Sequence, residues 1–417
     1  MTGSPPGTAG ARPVHLVVPG DVDDPGAPSG GNVYDRRMSR CLAAAGRPVR
    51  EVAVAGDWPQ PGPAARAELD RSLAALPDGA AVLLDGLVAC GVPEVVVPHT
   101  RRLRTAVLVH LPLADETGLA PDRAARLDAR ERETLRAADL VVATSPRAAQ
   151  GLTVRHALDP ARVHVVAPGV DPAPPAPGSD AGNRLLCVAS LTPRKGQDLL
   201  VEALAAVSGL PWDCTFAGPH GRDPGYAARL RERIARHRLA DRVHLPGPLA
   251  GEALDAAYAS ADLLVLPSRA ETYGMVVTEA LARGLPVLAA AVGGVPDALG
   301  RDPDGGLPGV LVPPDDGAAL AAALRRWLGD PEERRRLRAS ALRRRSALEG
   351  WDRAAGRLDA VLRLLHAEPP HTAADLHGRT GPRRGTGLHG KTDLRRGTGP
   401  HGTAGPREEP RPDEETR

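Results

Sequence analysis

At 417 residues, with 42% hydrophobic but only 2% aromatic content, the chain is too long for one ordinary core, and Ala, Val and Leu must do its packing. Its 53 basic and 51 acidic side chains leave a formal net charge of +2, which excludes the one-signed footprint of a nucleic-acid-binding protein. No apolar run approaches the roughly 18 residues of a membrane span, and the opening MTGSPPGTAGARPVHLVVPG lacks a charged n-region followed by an apolar h-region; the expectation is a cytoplasmic protein, with peripheral membrane contact left open.

Short valine-rich runs alternate with stretches of helical period, and the alternation occurs twice. That is the pattern of parallel sheets covered by helices. In the first half the strand candidates are VHLVVPG (14–20), VREVAVAG (49–56), AAVLLDGL (80–87), TAVLVHLPL (105–113), LVVATS (140–145) and RVHVVAPGV (162–170). GNVYDRRMSRCLAAAG and DRAARLDARERETLRAAD read as amphipathic helices between them. The Pro-rich DPAPPAPGSDAG then breaks both periods, as a linker does. From Arg184 the second series runs RLLCVAS, CTFAGP, VHLPG, DLLVLPS, PVLAAAV and GVLVPP. GWDRAAGRLDAVLRLLHA predicts one more amphipathic helix, with Trp351, Leu358, Val361, Leu362 and Leu365 along its apolar side. Beyond it LHGRTGPRRGTG is followed by its near-duplicate LHGKTDLRRGTG, a composition that cannot bury enough surface to offset ordering entropy.

The expected fold class is α/β: two doubly wound, Rossmann-like domains facing a cleft, over residues 1–170 and 184–350. A linker covers 171–183, a final helix 351–366, and a disordered low-complexity tail 367–417. The four cysteines, Cys41, Cys90, Cys187 and Cys214, are scattered without C-x-x-C pairing, so small buried hydrophobes are expected rather than a metal site or disulfide framework.

Four places carry candidate chemistry. LTPRKGQDLLVEAL follows a strand and opens a helix, so Arg194 and Lys195 sit at a βα junction beside the positive end of a helix dipole. A planar fork and a mobile point charge there suit two adjacent phosphoryl groups; two solvated loop charges are the plainer alternative. Lys195 and Lys391 are the only lysines, and Lys391 belongs to the tail. In SRAETYGMVVTEALARGLPVLA, Glu271 follows a strand and Glu279 lies on a helix expected to start near Tyr273, which separates the carboxylates by roughly 10 Å. Each can accept hydrogen bonds from vicinal hydroxyls. Gly30 and Gly31 stand between the first strand and its helix, where a phosphate can approach backbone N–H groups, although a simple turn is the default reading of such a pair. His110 ends an inner strand at the cleft edge. G-x-G-x-x-G (385–390 and 397–402) and G-x-x-x-x-G-K-[ST] (385–392) match only within the low-complexity tail and never between a strand candidate and a helix, which argues against a dinucleotide dehydrogenase or a P-loop enzyme; the D-x-D matches at 21–23 and 302–304 are not read as a metal site.

Taken in order, SGGNVY, VHLPLADETG, ADLVVATS, VVAPGVD, LTPRKGQDLL, YASADLLVLPSRAETYGMVVTEALARGLPVLA, VGGVPD and GVLVPPDD resemble the retaining nucleotide-sugar enzymes of glycosyltransferase family 4, which have the GT-B fold. The resemblance runs from about Val14 to Leu365. It implies an N-terminal acceptor-side domain, a C-terminal nucleotide-sugar-binding domain, and a final helix that returns across the cleft to the first. It further implies that Arg194 and Lys195 neutralise the donor diphosphate, Glu271 faces the transferred sugar and Glu279 holds the ribose hydroxyls. Backbone at Gly274, Met275 and Val276 would support sugar and phosphates, Gly31 would approach the diphosphate, and His110 would line the sugar site. Asp297 in GGVPD stands where the family usually has glutamate, outside the chemistry. The implied reaction moves a sugar from a UDP- or GDP-linked donor to an acceptor hydroxyl with retention, using no metal and no cofactor; the alternatives are an epimerase or other GT-B enzyme, or a nucleotide-sugar-binding protein without turnover. The acceptor and oligomeric state have no signature in the sequence.

Overall fold

The computed structural model describes residues 12–23, 29–116 and 118–367. The tail expectation for 367–417 falls almost wholly outside the described residues. Two six-stranded parallel sheets form the frame. The first contains β1 (Val14–Pro19), β2 (Val49–Val54), β3 (Ala81–Asp85), β4 (Arg104–Val109), β5 (Leu140–Ala143) and β6 (Val163–Val165), in the spatial order β2-β1-β3-β4-β5-β6. The second contains β7 (Arg184–Val188), β8 (Asp213–Ala217), β9 (Val243–Gly247), β10 (Leu263–Leu266), β11 (Val287–Ala290) and β12 (Gly309–Val312), ordered β12-β11-β10-β7-β8-β9.

Each sheet is apolar on both faces because helices cover both, and strand alternation divides its side chains between two cores. In β3, Val82 and Leu84 enter one cluster while Ala81 and Leu83 enter the other. In β10, Leu263 and Val265 face one way and Leu264 and Leu266 the other. Each sheet also has a point where chain order reverses, between β1 and β3 in the first and between β7 and β10 in the second. Connections leave those strand pairs toward opposite sides, so a crevice forms beyond their carboxyl ends.

All six strands of the first sheet end before the runs that predicted them, β4 at Val109 rather than 113, and at β3 and β6 the structure shows the cause. β3 stops at Asp85, whose Oδ1 accepts the Leu87 N–H at 2.7 Å and caps the one-turn helix Gly86–Ala89. β6 keeps only Val163–Val165, because the chain then leaves the sheet: the Val170 N–H donates to the Glu349 carbonyl at 3.0 Å, and a Cβ on Gly169 would lie 2.4 Å from the Trp351 nitrogen. The Pro-rich stretch is bound rather than free. Ala176 N donates to Arg283 O at 2.8 Å, and Trp327 Nε1 donates to Gly182 O at 2.8 Å. The last helix, Trp351–Ala367, lays Trp351, Leu358, Leu362 and Leu365 against the helix Gly30–Ala44 and the face of β3 and β4 that carries Ala81, Leu83, Ala106 and Leu108, and so completes one core of the first sheet. Cys90, Cys187 and Cys214 are buried and Cys41 is half-buried; all four are unpaired. No described helix is long and apolar enough to cross a membrane.

Candidate active site

The loops at the reversal point of the second sheet carry the charged residues. After β7 the chain makes a single 3₁₀ turn, Pro193–Lys195, and enters the helix Gln197–Ala205 through Gly196. Gly196 has φ +67°, and a Cβ on it would lie 2.1 Å from the Pro267 carbonyl oxygen, so only glycine lets this turn close onto the loop after β10. That closure brings the Lys195 ammonium to the Glu271 carboxylate at 2.5 Å. Ser268 Oγ donates to the same oxygen at 2.8 Å, and Arg194 Nη1 stands 3.8 Å from the other. Arg194 also donates to the Ala270 carbonyl at 3.1 Å and reaches Glu116 of the first domain at 3.4 Å.

These are not solvated loop charges. The side chains of Arg194, Lys195 and Glu271 are only 16%, 16% and 9% exposed. Burial lowers the Lys195 pKa, with Glu271 opposing the shift and Arg194 adding to it. Burial would raise Glu271, but the charges of Lys195 and Arg194 outweigh it and hold the carboxyl below its ordinary value. The cluster is therefore a buried carboxylate between two cations, an arrangement that an entering diphosphate can compete for.

Glu279 has the opposite environment. The helix that bears it starts at Met275 rather than near Tyr273, because Gly274 precedes it at φ +89° in the left-handed region. Tyr258, fully buried, donates its hydroxyl to Glu279 Oε2 at 2.8 Å. Burial raises the Glu279 pKa against the opposing Tyr258 hydrogen bond and the Arg283 charge. Two carboxyls on one segment are thus pushed apart, Glu271 toward the anion and Glu279 toward the acid.

Arg269 is a residue that the motifs did not single out. Its guanidinium grips Asp198 with two hydrogen bonds of 2.8 and 2.9 Å, donates to the Pro193 carbonyl at 2.6 Å and reaches Asp315 at 2.7 Å. It ties the loop of Glu271 to the turn of Arg194 and Lys195, and its place two residues before Glu271 was the available signal. Gly293 and Gly294 act similarly through backbone. Gly294 N donates to Glu271 O at 3.2 Å, and a Cβ on Gly293 would lie 1.6 Å from that oxygen. Asp297 is exposed on the short helix that follows.

The first domain supplies its own reversal point. Gly30 and Gly31 are the first residues of the helix Gly30–Ala44, whose N-cap Ser29 accepts the Asn32 N–H. A Cβ on Gly31 would stand 3.0 Å from the His110 ring, and one on Gly30 would stand 3.7 Å from Met275 Sδ of the second domain. Thr272 Oγ1 donates to the His110 carbonyl at 2.5 Å, and Ser145 Oγ donates to the Thr272 carbonyl at 2.6 Å. Gly30, Gly31, His110 and Met275 therefore meet across the cleft, and Thr272, which binds the His110 carbonyl, is the residue after Glu271, while Glu279 lies further along its helix beside Tyr258. Val276 is half-buried and packs against the core beneath that helix.

His110 Nε2 is hydrogen-bonded to Asp35 Oδ1 at 2.9 Å, and Asp85 lies close by: among the described residues these are the one group of three acidic, cysteine or histidine side chains whose ligating atoms all fall within 4.8 Å. The Nε2–Oδ1 hydrogen bond makes the group a proton-linked cluster.

Two family models match, and they meet end to end. Glycosyltransferase Family 4 covers residues 28–174, and Glycosyl transferases group 1 covers 175–344. The D-inositol 3-phosphate glycosyltransferase of Jonesia denitrificans is 34% identical over 292 residues, 65% of this chain and 66% of that protein. D-inositol 3-phosphate glycosyltransferase 1 of Catenulispora acidiphila is 35% identical over 295 residues, 66% of this chain and 67% of that one. The chain spans 66%, 59% and 57% of the first three such relatives, from Jonesia denitrificans, Kineococcus radiotolerans and Salinispora tropica. Among solved structures, sucrose-phosphate synthase from Thermosynechococcus elongatus superposes with a TM-score of 0.70 at 24% identity, covering 85% of this chain and 99% of that one. Anabaena HepE in complex with UDP-glucose gives 0.66 at 18% identity, covering 85% and 100%. With the motifs of both halves matched in order and the two sheets superposing on these enzymes, the chain belongs to glycosyltransferase family 4 and has the GT-B fold.

Proposed function

We propose that this protein transfers a hexosyl group from a UDP- or GDP-linked sugar to an acceptor hydroxyl with retention of anomeric configuration, in the cytoplasm. The observation that carries this proposal is the buried Arg194–Lys195–Glu271 cluster at the reversal point of the second sheet. When the bond between the anomeric carbon and the diphosphate breaks, its electron pair leaves with the phosphate oxygen. Arg194 and Lys195 are already desolvated and fixed where that charge develops, so they stabilise the transition state with little reorganisation. The acceptor oxygen forms the new bond to the anomeric carbon, and its proton passes to the departing phosphate on the same face.

In this scheme Glu271 faces the sugar, and the half-buried Glu279 receives the ribose hydroxyls. Backbone at Gly274, Met275 and Val276 supports the sugar and phosphates, Gly30 and Gly31 admit the diphosphate close to the first helix, and His110 lines the sugar site. The relatives named D-inositol 3-phosphate glycosyltransferase support glycosyl transfer, and the UDP-glucose complex of HepE supports a nucleotide-sugar donor. The pair of cations supplies the neutralisation that a metal would otherwise give, and turnover unchanged in EDTA is the expected result. Four unpaired cysteines support a reducing compartment.

The test is a panel of UDP-, GDP- and ADP-sugars incubated with the full chain and followed by mass spectrometry. Consumption of one donor with release of free nucleoside diphosphate is expected, abolished in Lys195→Met. A donor isomerised without nucleotide release would make the protein an epimerase, and a donor bound but never consumed would make it a binding protein.

A further inference from the structure

The transfer scheme gives no role to Asp35 or Asp85, yet both are buried charged residues at the reversal point of the first sheet, 1% and 3% exposed. Asp35 lies in the second turn of the helix Gly30–Ala44 and Asp85 closes β3, so the two elements that diverge at this point each aim a carboxyl into the gap between them. His110, following β4, supplies the third group. Asp35 Oδ1 takes the hydrogen bond of His110 Nε2 at 2.9 Å. Asp35 Oδ2 is buried with no hydrogen-bond partner, a costly state for a carboxylate. One Asp85 oxygen is anchored by the Leu87 N–H at 2.7 Å, and the two carboxyls approach within 4.8 Å.

Two buried carboxylates this close do not both ionise; a proton held by one satisfies the lone pair of the other. We propose that Asp35 and Asp85 form a proton-sharing carboxyl pair whose net single negative charge fixes the His110 ring and keeps it an imidazolium at the sugar end of the cleft. Asp35 and Asp85 are positioning residues that act through His110. With Nε2–H committed to Asp35, only Nδ1 can meet a substrate, and in the charged ring it is a hydrogen-bond donor. A donor at this position suits a sugar hydroxyl or the oxygen on which charge accumulates, and it cannot serve as a base.

The surroundings agree. Burial, then the Asp35 charge, raises Asp85 to about 7. Burial alone would lower His110, but the charge and hydrogen bond of Asp35, with Asp85 behind it, raise the ring to about 9. The other titratable groups facing the cluster are Tyr34, whose ring meets His110 edge-on at 5.2 Å, Cys90 and Glu131 on the far side of Asp85, and Arg357 of the last helix acting on Tyr34. From the second domain the contact to His110 is the Thr272 hydroxyl, which is neutral. Tyr34 in turn meets Trp351 edge-on at 5.9 Å, so the last helix buttresses the ring that confines His110.

This inference rests on the proposed transfer only for its kinetic arm. The first arm is a titration of the full chain with ¹³C-labelled histidine, the His110 resonance being assigned by its loss in His110→Phe. His110 is expected to titrate more than one pH unit above an ordinary imidazole, to fall by more than one unit in Asp35→Asn, and to stay raised in Asp85→Asn, whose amide can still donate to Asp35. An ordinary titration of His110 in the natural chain overturns the proposal, and that measurement stands even if Asp35→Asn fails to fold. The second arm is kinetic. Asp35→Asn should lower kcat on the order of 10²-fold with donor KM little changed, move the alkaline limb of the pH profile to lower pH, and add nothing to the loss in His110→Gln. Additive losses, or activity that requires Mn²⁺ and vanishes in EDTA with all three residues equally needed, would make the cluster something other than a proton-sharing pair. If no variant and no natural chain consumes any donor, the transfer proposal fails and the titration alone decides this one.

Discussion

Lys195→Met removes a charge and keeps most of the apolar stem, and the structure sets the size of the effect. The pair it breaks is 2.5 Å long between side chains 16% and 9% exposed. Removing one member of such a buried pair costs about 3–5 kcal/mol, mainly because the other charge is left without compensation. Here Ser268 at 2.8 Å and Arg194 at 3.8 Å remain beside Glu271, which places the loss near the lower end, about 3 kcal/mol. For a domain of about 170 residues, unfolding entropy converts this to a fall in Tm of about 8 °C. Glu271→Gln should cost a similar amount by stranding Lys195. The double variant should recover to within about 1 kcal/mol of the natural chain, because neither charge is then orphaned. Scanning calorimetry of the four proteins measures the cycle. Nucleoside diphosphate at about 100 times its Kd should add about 2.7 kcal/mol to the natural chain and far less to Lys195→Met. A single variant that melts within about 2 °C of the natural chain would refute the argument that the pair is buried and mutually dependent. So would a double variant whose losses simply add.

Tyr258→Phe should remove one hydrogen bond to a half-buried carboxyl, worth about 1.5–3 kcal/mol, and raise the Glu279 pKa further; nucleotide affinity measured calorimetrically at pH 7 should fall while the bare diphosphate is affected less. Truncation before Trp351 should strip Trp351, Leu358, Leu362 and Leu365 from β3, β4 and the helix Gly30–Ala44, about 1.5–3 kcal/mol for each, and be seen as dye binding and fast amide exchange in β3 and β4 while β7 and β10 stay protected. Because Glu271 is held below its ordinary carboxyl value, its contribution is present above about pH 4.5 and lost as pH falls through the folded value, so Glu271→Gln should show a shallower acid limb in Tm against pH than the natural chain. An identical acid limb would mean that Glu271 is not ionised between its two cations.

The sequence alone determined the α/β class and the number of sheets, because parallel strands covered on both faces must be short, valine-rich and separated by helix-length amphipathic stretches. It also placed Arg194, Lys195, Glu271 and Glu279 on loops or helix starts after strands, where doubly wound sheets bind ligands. Local rules failed where a contact far along the chain intervenes. RVHVVAPGV reads as one strand, but the pull of Glu349 and Trp351 ends it after Val165. Arg194 and Lys195 read equally well as exposed charges, and only the closure of Gly196 onto Pro267 buries them against Glu271. Asp35 and Asp85 gave no signal at all, and Arg269 only its place two residues before Glu271, since their partners Asp198, His110 and one another come from other parts of the chain and meet only once the sheet order reverses. Burial and proximity, which set the charge on a carboxyl, are properties of the packed chain; residue type and spacing fix only which groups are available to be brought together.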